Sequence, residues 1–222
     1  NKTSYATPNF LRNNGLSKTP LVHIIQAHDK THLMGSNDKD PNNVNLSCTF
    51  HHLWFQNCWD RVVPRLRAGN VHDFNIYVDD ATALVAKRLR DYIVTTVVNL
   101  NSSSSNAMKN TYSFNPFLNG TISTENGAIL VEKSIYNDCI TPLRNNQTDV
   151  TDPTYTGKIM ALDCIYHFDN ADSSTIDYRG DSTNAPGSTY FGPTQAPIIP
   201  FSWNGFTNLP YSYTNVLTDP AD

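Results

Sequence analysis

The sequence predicts an all-β fold, a parallel β-helix with long surface loops, from the spacing and composition of its apolar runs. Six short β-type runs recur along the chain, with starts roughly 20 to 35 residues apart. This spacing exceeds hairpin spacing, and the pattern between the runs is not that of alternating strand and helix units. Solenoid coils, from which loops of any length can emerge, account for the variable intervals. The runs are 21–26, 44–50, 71–78, 92–98, 128–136 and 158–166.

The residues alone leave one alternative open, a β-sandwich with long loops, because no repeated sequence motif marks the coils. In the runs at 44–50 and 71–78, side chains are expected to alternate between the two faces of a strand, which predicts the face on which each side chain lies. One face of the first run would carry Val44, Leu46, Cys48 and Phe50, with Thr49 and His51 opposite, and one face of the second would carry His72, Phe74, Ile76 and Val78.

Two segments depart from the β-type rhythm. Residues 79–93 place apolar side chains near helical spacing behind an acidic start, which predicts a short helix or an irregular excursion. Residues 101–110, NSSSSNAMKN, predict a surface loop. We therefore expect a β-helix domain over 1–168 and a loop-rich segment over 169–222 that packs on the same domain through its aromatic side chains.

Composition excludes several classes of protein. The net charge is −4 and only 16% of the 222 residues are charged, which argues against a basic nucleic-acid binder and a charge-rich disordered chain. No stretch approaches 18 consecutive apolar residues, so no membrane span is expected. The polarity comes from 26 Asn, 23 Thr and 17 Ser, a composition that suits secreted β-rich proteins that handle sugars. We expect an extracellular or periplasmic location.

The four cysteines do not form a zinc-site pattern, because they lack C-x-x-C spacing and histidines at metal-site intervals. Cys48 lies in an alternating run and Cys164 in an apolar run. Both contexts favour buried, unpaired cysteines that act as small hydrophobic residues, with disulfides allowed but not required.

The densest cluster of basic and histidine side chains lies between His28 and His72. It holds three arginines within seven residues and five of the seven histidines. Guanidinium groups suit planar carboxylates, so a polyanion with one carboxylate per sugar is a better ligand than a phosphate, for which no Gly-rich loop is present. Stacked coils would bring together, on the outer surface, Lys30, Arg61, Arg65 and Arg67.

The same segments resemble the central signature of the polysaccharide lyase family that contains the pectate and pectin lyases. The matching segments are HDKTHLMGSNDKD at 28–40 and HHLWFQNCWDRVVPRLRAGNVHDFNIYVD at 51–79. ENGAILVEKSIYNDCITPL at 125–143 and LPYSYT near the C-terminus resemble later parts of that family. The resemblance implies a right-handed parallel β-helix and cleavage of galacturonan by β-elimination.

Carried over residue by residue, the resemblance makes Lys30, Arg65 and Arg67 substrate-binding residues and Arg61 the base that removes the C5 proton. RVVPR has one residue more than the family's R-x-P-R, so Arg61 fits when counted from the preceding histidines but not from His72. A bulge before the proline would absorb the extra residue, and we favour this reading. Otherwise Arg65 or Arg67 must act as the base.

The resemblance also implies calcium as a cofactor. The family's calcium-binding motifs do not occur here, so no metal ligand is assigned. Asp38 and Asp40 match another segment of the family, and we do not assign them as metal ligands. Only 27 residues precede His28, where the family has several coils and a capping helix. We expect an omitted segment, a second chain or a dimer partner to cover the open end of the solenoid.

Two classes of function follow. The first is a secreted pectate lyase that acts on polygalacturonate, with pectin lyase activity on methyl-esterified substrate as a variant. The second is a catalytically inactive or incomplete β-helix protein that binds pectin or galacturonan through the arginine patch. Neither class involves nucleic acid or a membrane.

Overall fold

The computed structural model describes residues 31–58, 63–92, 118–145, 153–169, 171–173 and 200–213. These residues form eleven strands, one α-helix and two short 3-10 helices. In chain order they are β1 (Leu33–Met34), η1 (Pro41–Asn45), β2 (Ser47–Gln56), β3 (Arg65–Arg67), β4 (Asn70–Asp79), α1 (Ala81–Tyr92), β5 (Asn119–Thr124), β6 (Ala128–Glu132), β7 (Ile135–Asn137), β8 (Thr141–Arg144), η2 (Pro153–Tyr155), β9 (Lys158–Leu162), β10 (Ile165–Phe168) and β11 (Ala171–Ser173).

The strands build four successive coils of a parallel β-helix, which confirms the predicted fold class. A first face stacks one short strand from each coil in the order β1, β3, β5, β8. The longer β2 and β4 pair along their whole length, and their two halves form a second and a third face. The second face continues through β6 and β9, and the third through β7 and β10. All these pairs are parallel, and β11 adds to β10 as an antiparallel strand.

A column of left-handed residues forms the corner between the second and third faces. His52, Asn75, Lys133 and Asp163 occupy this corner in successive coils, with φ between 45° and 54°. A single residue with positive φ bends the strand at this corner. The side chains before and after it then point to opposite sides of the sheet, whereas in an unbroken strand they would point to the same side. The continuous runs predicted at 128–136 and 158–166 are therefore each divided into two strands.

Strand β4 bends at Asn75, and its side chains therefore do not lie on the predicted faces. His72 and Phe74 lie on the outer side of the second face, whereas Ile76 and Val78 lie in the core. The prediction that all four share one face is wrong, because strict alternation assumes an unbroken strand. The prediction for Val44 is also wrong: it lies in η1 and its side chain is 58% exposed.

Apolar side chains from successive coils stack in register and fill the interior. Three inner columns run through the described coils: Cys48, Val71, Ile129 and Ile159; Phe50, Asp73, Val131 and Ala161; and Phe55, Val78, Tyr136 and Tyr166. The rings of Tyr136 and Tyr166 stack at 5.7 Å. The second column places one carboxyl group, that of Asp73, among apolar neighbours.

Helix α1 confirms the excursion predicted at 79–93. The backbone carbonyl of Asp80 accepts the first helical hydrogen bond, from Leu84, at 2.8 Å. The buried Asp80 side chain accepts a hydrogen bond from the Cys58 amide at 3.0 Å, which ties the helix start to the end of β2. Burial raises the pKa of Asp80 to about 8. The predicted run at 21–26, nearly all of 92–98 and the loop at 101–110 lie outside the described residues.

The cysteines behave as predicted. All four are free thiols, with Cys58, Cys139 and Cys164 buried and Cys48 half-buried. They contribute as small apolar side chains to the core, without cross-links. In the part of the chain that the structure describes, no helix combines the length and hydropathy needed to cross a membrane.

The first of the described coils exposes apolar side chains. Trp54 is 65% exposed and Leu33 49% exposed. Both belong to strands, β2 and β1, that pair on one side only among the described residues. The expectation that a further segment, a second chain or a dimer partner covers this coil stays a prediction.

Residues 200–213 pack as an extended segment across the outer side of the second face. The Asn204 side chain lies at the centre of this contact: its Nδ2 donates to the carbonyl oxygens of Gly69 and Asn126, both at 2.8 Å, and its Oδ1 accepts from Lys158 Nζ at 2.7 Å. Its backbone N–H donates to the Asn70 side chain at 2.8 Å. One side chain thus joins three coils to the C-terminal segment.

Asn204→Ala is expected to release this segment locally. The substitution removes the side-chain hydrogen bonds of Asn204 to Gly69, Asn126 and Lys158, and we expect the local free energy of unfolding to fall by about 1–2 kcal/mol. We expect faster amide hydrogen exchange and faster proteolytic cleavage within 200–213, with the core strands protected as before. Asn208→Ala, at an exposed position of the same segment, is the matched control. Equal exchange rates in the two variants would contradict the anchoring role of Asn204.

Candidate functional site

Two of the predicted site residues lie side by side on strand β3. Leu66 is fully buried in the core, and Arg65 and Arg67 flank it with half-buried side chains. Because side chains alternate along a strand, both arginines extend from the outer side of the first face, about 7 Å apart along the chain. The structure therefore places these two cations together on one outer surface of the solenoid, as the sequence predicts.

The guanidinium of Arg67 is held by the loop that precedes η1. Its Nη1 donates to the carbonyl oxygens of Gly35 at 2.6 Å and Ser36 at 3.1 Å. Its Nε lies 2.5 Å from Asp38 Oδ1 and 4.0 Å from Glu125 Oε1. The Arg67 side chain is only 11% exposed, so this charge is partly desolvated and is balanced by carboxylates. The two hydrogen bonds from Nη1 restrict the guanidinium, and Nε forms an ion pair with Asp38 without an aligned hydrogen bond.

Residues 35–40 form the loop around Arg67, and we call them the Arg67 loop. Four further contacts hold this loop in place. Lys39 donates its backbone N–H to Glu125 Oε2 at 2.8 Å, and its Nζ lies 4.7 Å from the centre of the Tyr155 ring. Asn43 donates to the Asn37 carbonyl at 2.9 Å. Asp40 accepts from the Asn42 amide at 2.9 Å and caps η1.

Gly35 allows the Arg67 loop to approach the arginine. Its φ is +93°, a left-handed conformation that favours glycine. A Cβ atom at this position would lie 2.9 Å from Arg67 Cβ and from Asn43 Oδ1. The glycine in the GSND segment is therefore required both by conformation and by space.

The other two predicted site residues, Lys30 and Arg61, lie outside the described residues. The chain between Arg61 and Pro64 is described from Val63, which is fully buried and donates its backbone N–H to the Gly120 carbonyl at 3.3 Å. The register of β3 is thus fixed from Val63 onward. The bulge predicted before Pro64 stays a prediction.

Sequence reasoning did not single out Glu125 or Arg144, and it gave Asp38 no role. Arg144 ends strand β8 in register with Ile122, which is itself in register with Arg65, so Ile122 separates the two arginines on the first face. The Arg144 side chain is 7% exposed. Asp38 and Glu125 lie in segments that resemble the family, and Arg144 directly follows one of them, but no local pattern marks these positions as site residues.

A polar cluster on the second face holds the C-terminal segment. His72 Nε2 lies 2.8 Å from Glu132 Oε2, and its Nδ1 lies 2.9 Å from the Tyr211 hydroxyl. Tyr213 donates to the same Glu132 oxygen, and the Tyr211 hydroxyl also contacts Thr49 Oγ1 at 2.6 Å. Burial alone would raise the pKa of Glu132, but the hydrogen bonds from His72 and Tyr213 outweigh it and lower the pKa. This cluster fastens the segment to the coils.

No group of three or more His, Cys, Asp or Glu side chains within the described ranges is arranged to hold a metal ion. Asp38 and Glu125, the carboxylates nearest the arginines, are engaged by Arg67 and Lys39. The described residues therefore do not provide a calcium site.

The fold and the site together define the class of this protein: a parallel β-helix with neighbouring arginines on the outer side of its first face. The chain belongs to the pectate lyase family, whose model matches residues 19–219. This match confirms the family resemblance drawn from the sequence motifs.

Individual relatives agree with this assignment. The chain is 39% identical over 155 residues to pectate lyase B of Paenibacillus amylolyticus, a match that covers 68% of this chain and 37% of the relative. It is 50% identical over 53 residues to a pectate trisaccharide-lyase of Bacillus licheniformis, covering 23% of this chain and 15% of the relative. The solved structure of the pectate lyase PelN from Paenibacillus sp. 0602 superposes with a TM-score of 0.70 at 38% identity, covering 96% of this chain and 44% of that one. The chain thus spans less than half the length of these proteins.

Proposed function

We propose that this chain acts as a pectate lyase that cleaves galacturonan by β-elimination. The observation that carries the proposal is the pair of arginines, Arg65 and Arg67, on the outer side of the first face in a chain of the pectate lyase family. A galacturonan chain carries one carboxylate per sugar, and fixed guanidinium groups bind carboxylates strongly. The outer face of a solenoid is long enough to take an extended polymer.

In the proposed reaction a base removes the proton from C5, and the C5–H electron pair forms the C4–C5 double bond. The C4–O bond breaks, its electron pair stays on the leaving glycosidic oxygen, and that oxygen takes up a proton from solvent. The proton is acidic only when the adjacent carboxylate is neutralised and the developing charge is stabilised. Lys30, Arg65 and Arg67 supply positive charge for this purpose, and Arg61 is the base. Arginine has a pKa above 12 in water, so we expect the rate to rise toward alkaline pH.

Family membership supports calcium as a cofactor of the proposed lyase. The described residues do not fit a calcium site, so we assign no ligand and no step to the metal. Family membership and the Asn-, Thr- and Ser-rich composition also support secretion.

The test is incubation of the chain with polygalacturonate, with added calcium or with a chelator, while the ultraviolet absorption of the unsaturated product is followed. We expect product at alkaline pH, and Arg61→Ala is expected to reduce kcat at least about 100-fold because the base is lost. Arg88→Ala is the matched control, since Arg88 on α1 forms an exposed ion pair with Asp169.

Full activity of Arg61→Ala would show that Arg65 or Arg67 is the base instead. If the unmodified chain forms no product from polygalacturonate or from methyl-esterified pectin, yet binds polygalacturonate, the second candidate applies: a galacturonan-binding β-helix without activity. A rate maximum at acidic pH with sufficient calcium would argue against an arginine base.

A further inference from the structure

Arg67 is held on only part of its guanidinium group. Its contacts within the described residues use Nε, which pairs with Asp38, and Nη1, which donates to two carbonyl oxygens of the Arg67 loop. Among those residues, none forms a hydrogen bond or an ion pair with Nη2. A planar guanidinium that is fixed at one side presents its remaining donors in a defined direction.

We propose that Asp38 is a positioning residue that orients Arg67 so that its Nη2 end receives a carboxylate of the substrate. This inference rests on the proposed function, because it assumes that Arg67 binds galacturonan. Asp38 would not touch the substrate and would act through Arg67 alone. The Asp38 side chain is 38% exposed, so it lies at the rim of the site, whereas Arg67 lies deeper.

The Arg67 loop supports this role because it is fastened independently of Arg67. Lys39 and Glu125 join the loop to the coil of β5, and Asn43 and Asp40 fix its C-terminal end. A fixed loop places the Asp38 carboxylate against Nε before any substrate arrives. An arginine that is already ordered loses little conformational freedom on binding, which is the general basis of preorganised sites.

Charge balance gives a second reason. Arg67 is nearly buried, and a buried guanidinium without a carboxylate partner is strongly disfavoured. Glu125 Oε1 is 4.0 Å from Nε, while Asp38 Oδ1 is 2.5 Å away. Asp38 is therefore the nearer of the two carboxylates that balance the Arg67 charge. Without its charge, the group is expected to turn toward Glu125 or toward solvent.

The test compares Asp38→Asn with Asp40→Asn, which alters a carboxylate of the same loop that contacts Asn42 instead of Arg67. We expect Asp38→Asn to raise KM for polygalacturonate about tenfold and to change kcat less than about threefold. We expect Asp40→Asn to leave KM and kcat within about twofold, because the asparagine side-chain oxygen still caps η1 and the loop stays fixed. Affinity electrophoresis through a gel containing polygalacturonate measures binding without turnover, and Asp38→Asn is expected to migrate with reduced retardation.

The decisive control is Asp38→Asn combined with Arg67→Ala. If Asp38 acts through Arg67, adding Asp38→Asn to Arg67→Ala causes no further rise in KM and no further loss of retardation. Asp38→Glu, which keeps the charge, is expected to recover part of the binding. Thermal unfolding of every variant separates a binding effect from a loss of fold.

Three outcomes would overturn the inference: KM and retardation of Asp38→Asn equal to those of the unmodified chain, effects equal to those of Asp40→Asn, or additive effects in the double variant. Failure of the proposed function is a different result, namely no product from the unmodified chain. In that case the retardation measurements still decide whether Asp38 positions Arg67. An unmodified chain that neither cleaves nor binds polygalacturonate rejects both proposals.

Discussion

Replacing Gly157 by alanine is expected to destabilise the fold by about 3–4 kcal/mol. Gly157 is buried just before β9, where its backbone N–H donates to the Asn145 carbonyl at 2.7 Å. A Cβ atom there would lie 2.2 Å from Ser123 Oγ and 2.4 Å from the Ser123 carbonyl carbon. Ser123 is itself buried in β5, and its hydroxyl donates to the Gly127 carbonyl, so neither side chain nor backbone can move aside cheaply. Denaturant unfolding monitored by circular dichroism measures the decrease in the free energy of unfolding.

The matched control is Gly205→Ala. Gly205 has φ of +87°, and the space that a Cβ atom would occupy is open, so alanine there carries the conformational cost alone, about 1 kcal/mol. The comparison separates steric exclusion between coils from backbone preference. A loss at Gly157 no larger than that at Gly205 would mean that the coils can separate locally without cost.

Replacing Asp73 by valine is expected to stabilise the fold by about 2–3 kcal/mol at pH 8. Asp73 is fully buried in an inner column between Phe50 and Val131. Neither of its carboxylate oxygens has a hydrogen-bond partner within the described structure. Valine has nearly the same volume and matches the residue that the next coil places in the same column.

The stabilisation should depend on pH. Burial raises the pKa of Asp73 well above its usual value, so the folded chain keeps a proton that the unfolded chain releases above about pH 4. The contribution of Asp73 to stability is therefore fully present below that pH and decreases as pH rises toward the folded pKa. The difference between Asp73→Val and the unmodified chain should therefore grow as pH rises above about 4, the pKa of the unfolded carboxyl. Asp80 contributes a similar dependence that remains in the variant, since burial raises its pKa to about 8.

Asp79→Val on the same strand is the control for Asp73→Val. The Asp79 carboxylate accepts from the Asn137 side chain at 2.9 Å and from the Ala81 amide at 3.3 Å, so its removal should destabilise the fold by about 1–2 kcal/mol. Denaturant midpoints at several pH values measure both variants. An Asp73→Val chain that is less stable than the unmodified chain at pH 8 would show that the carboxylate has a partner in solution.

Much of the architecture was predictable because each coil repeats the same kind of apolar run. The runs near 44–50, 71–78, 128–136 and 158–166 all correspond to strands, and 79–93 to a helix. The faces of β4 were predicted wrongly beyond Asn75. Asparagine adopts left-handed conformations readily, but it also occurs throughout this chain in other contexts, so its presence alone did not mark a corner.

Part of the candidate site, the pair of arginines on β3, was also predictable from a local pattern. Arg65 and Arg67 flank a leucine, and this local alternation suffices to place both on one face. The partners of Arg67 come from the loop at 35–40 and from Glu125, which are distant from it in the chain. Nothing in their local sequence shows that they meet.

The sequence by itself therefore determined the class of fold, the family and the pair of arginines, because those depend on local alternation and on motifs in fixed order. The tertiary structure alone decided which residues form corners, that Asp73 lies inside while Asp79 lies outside, and that Asp38 forms an ion pair with Arg67. The physical reason is that stacking sets the register between coils. Register brings together side chains from distant segments whose contacts no local pattern encodes.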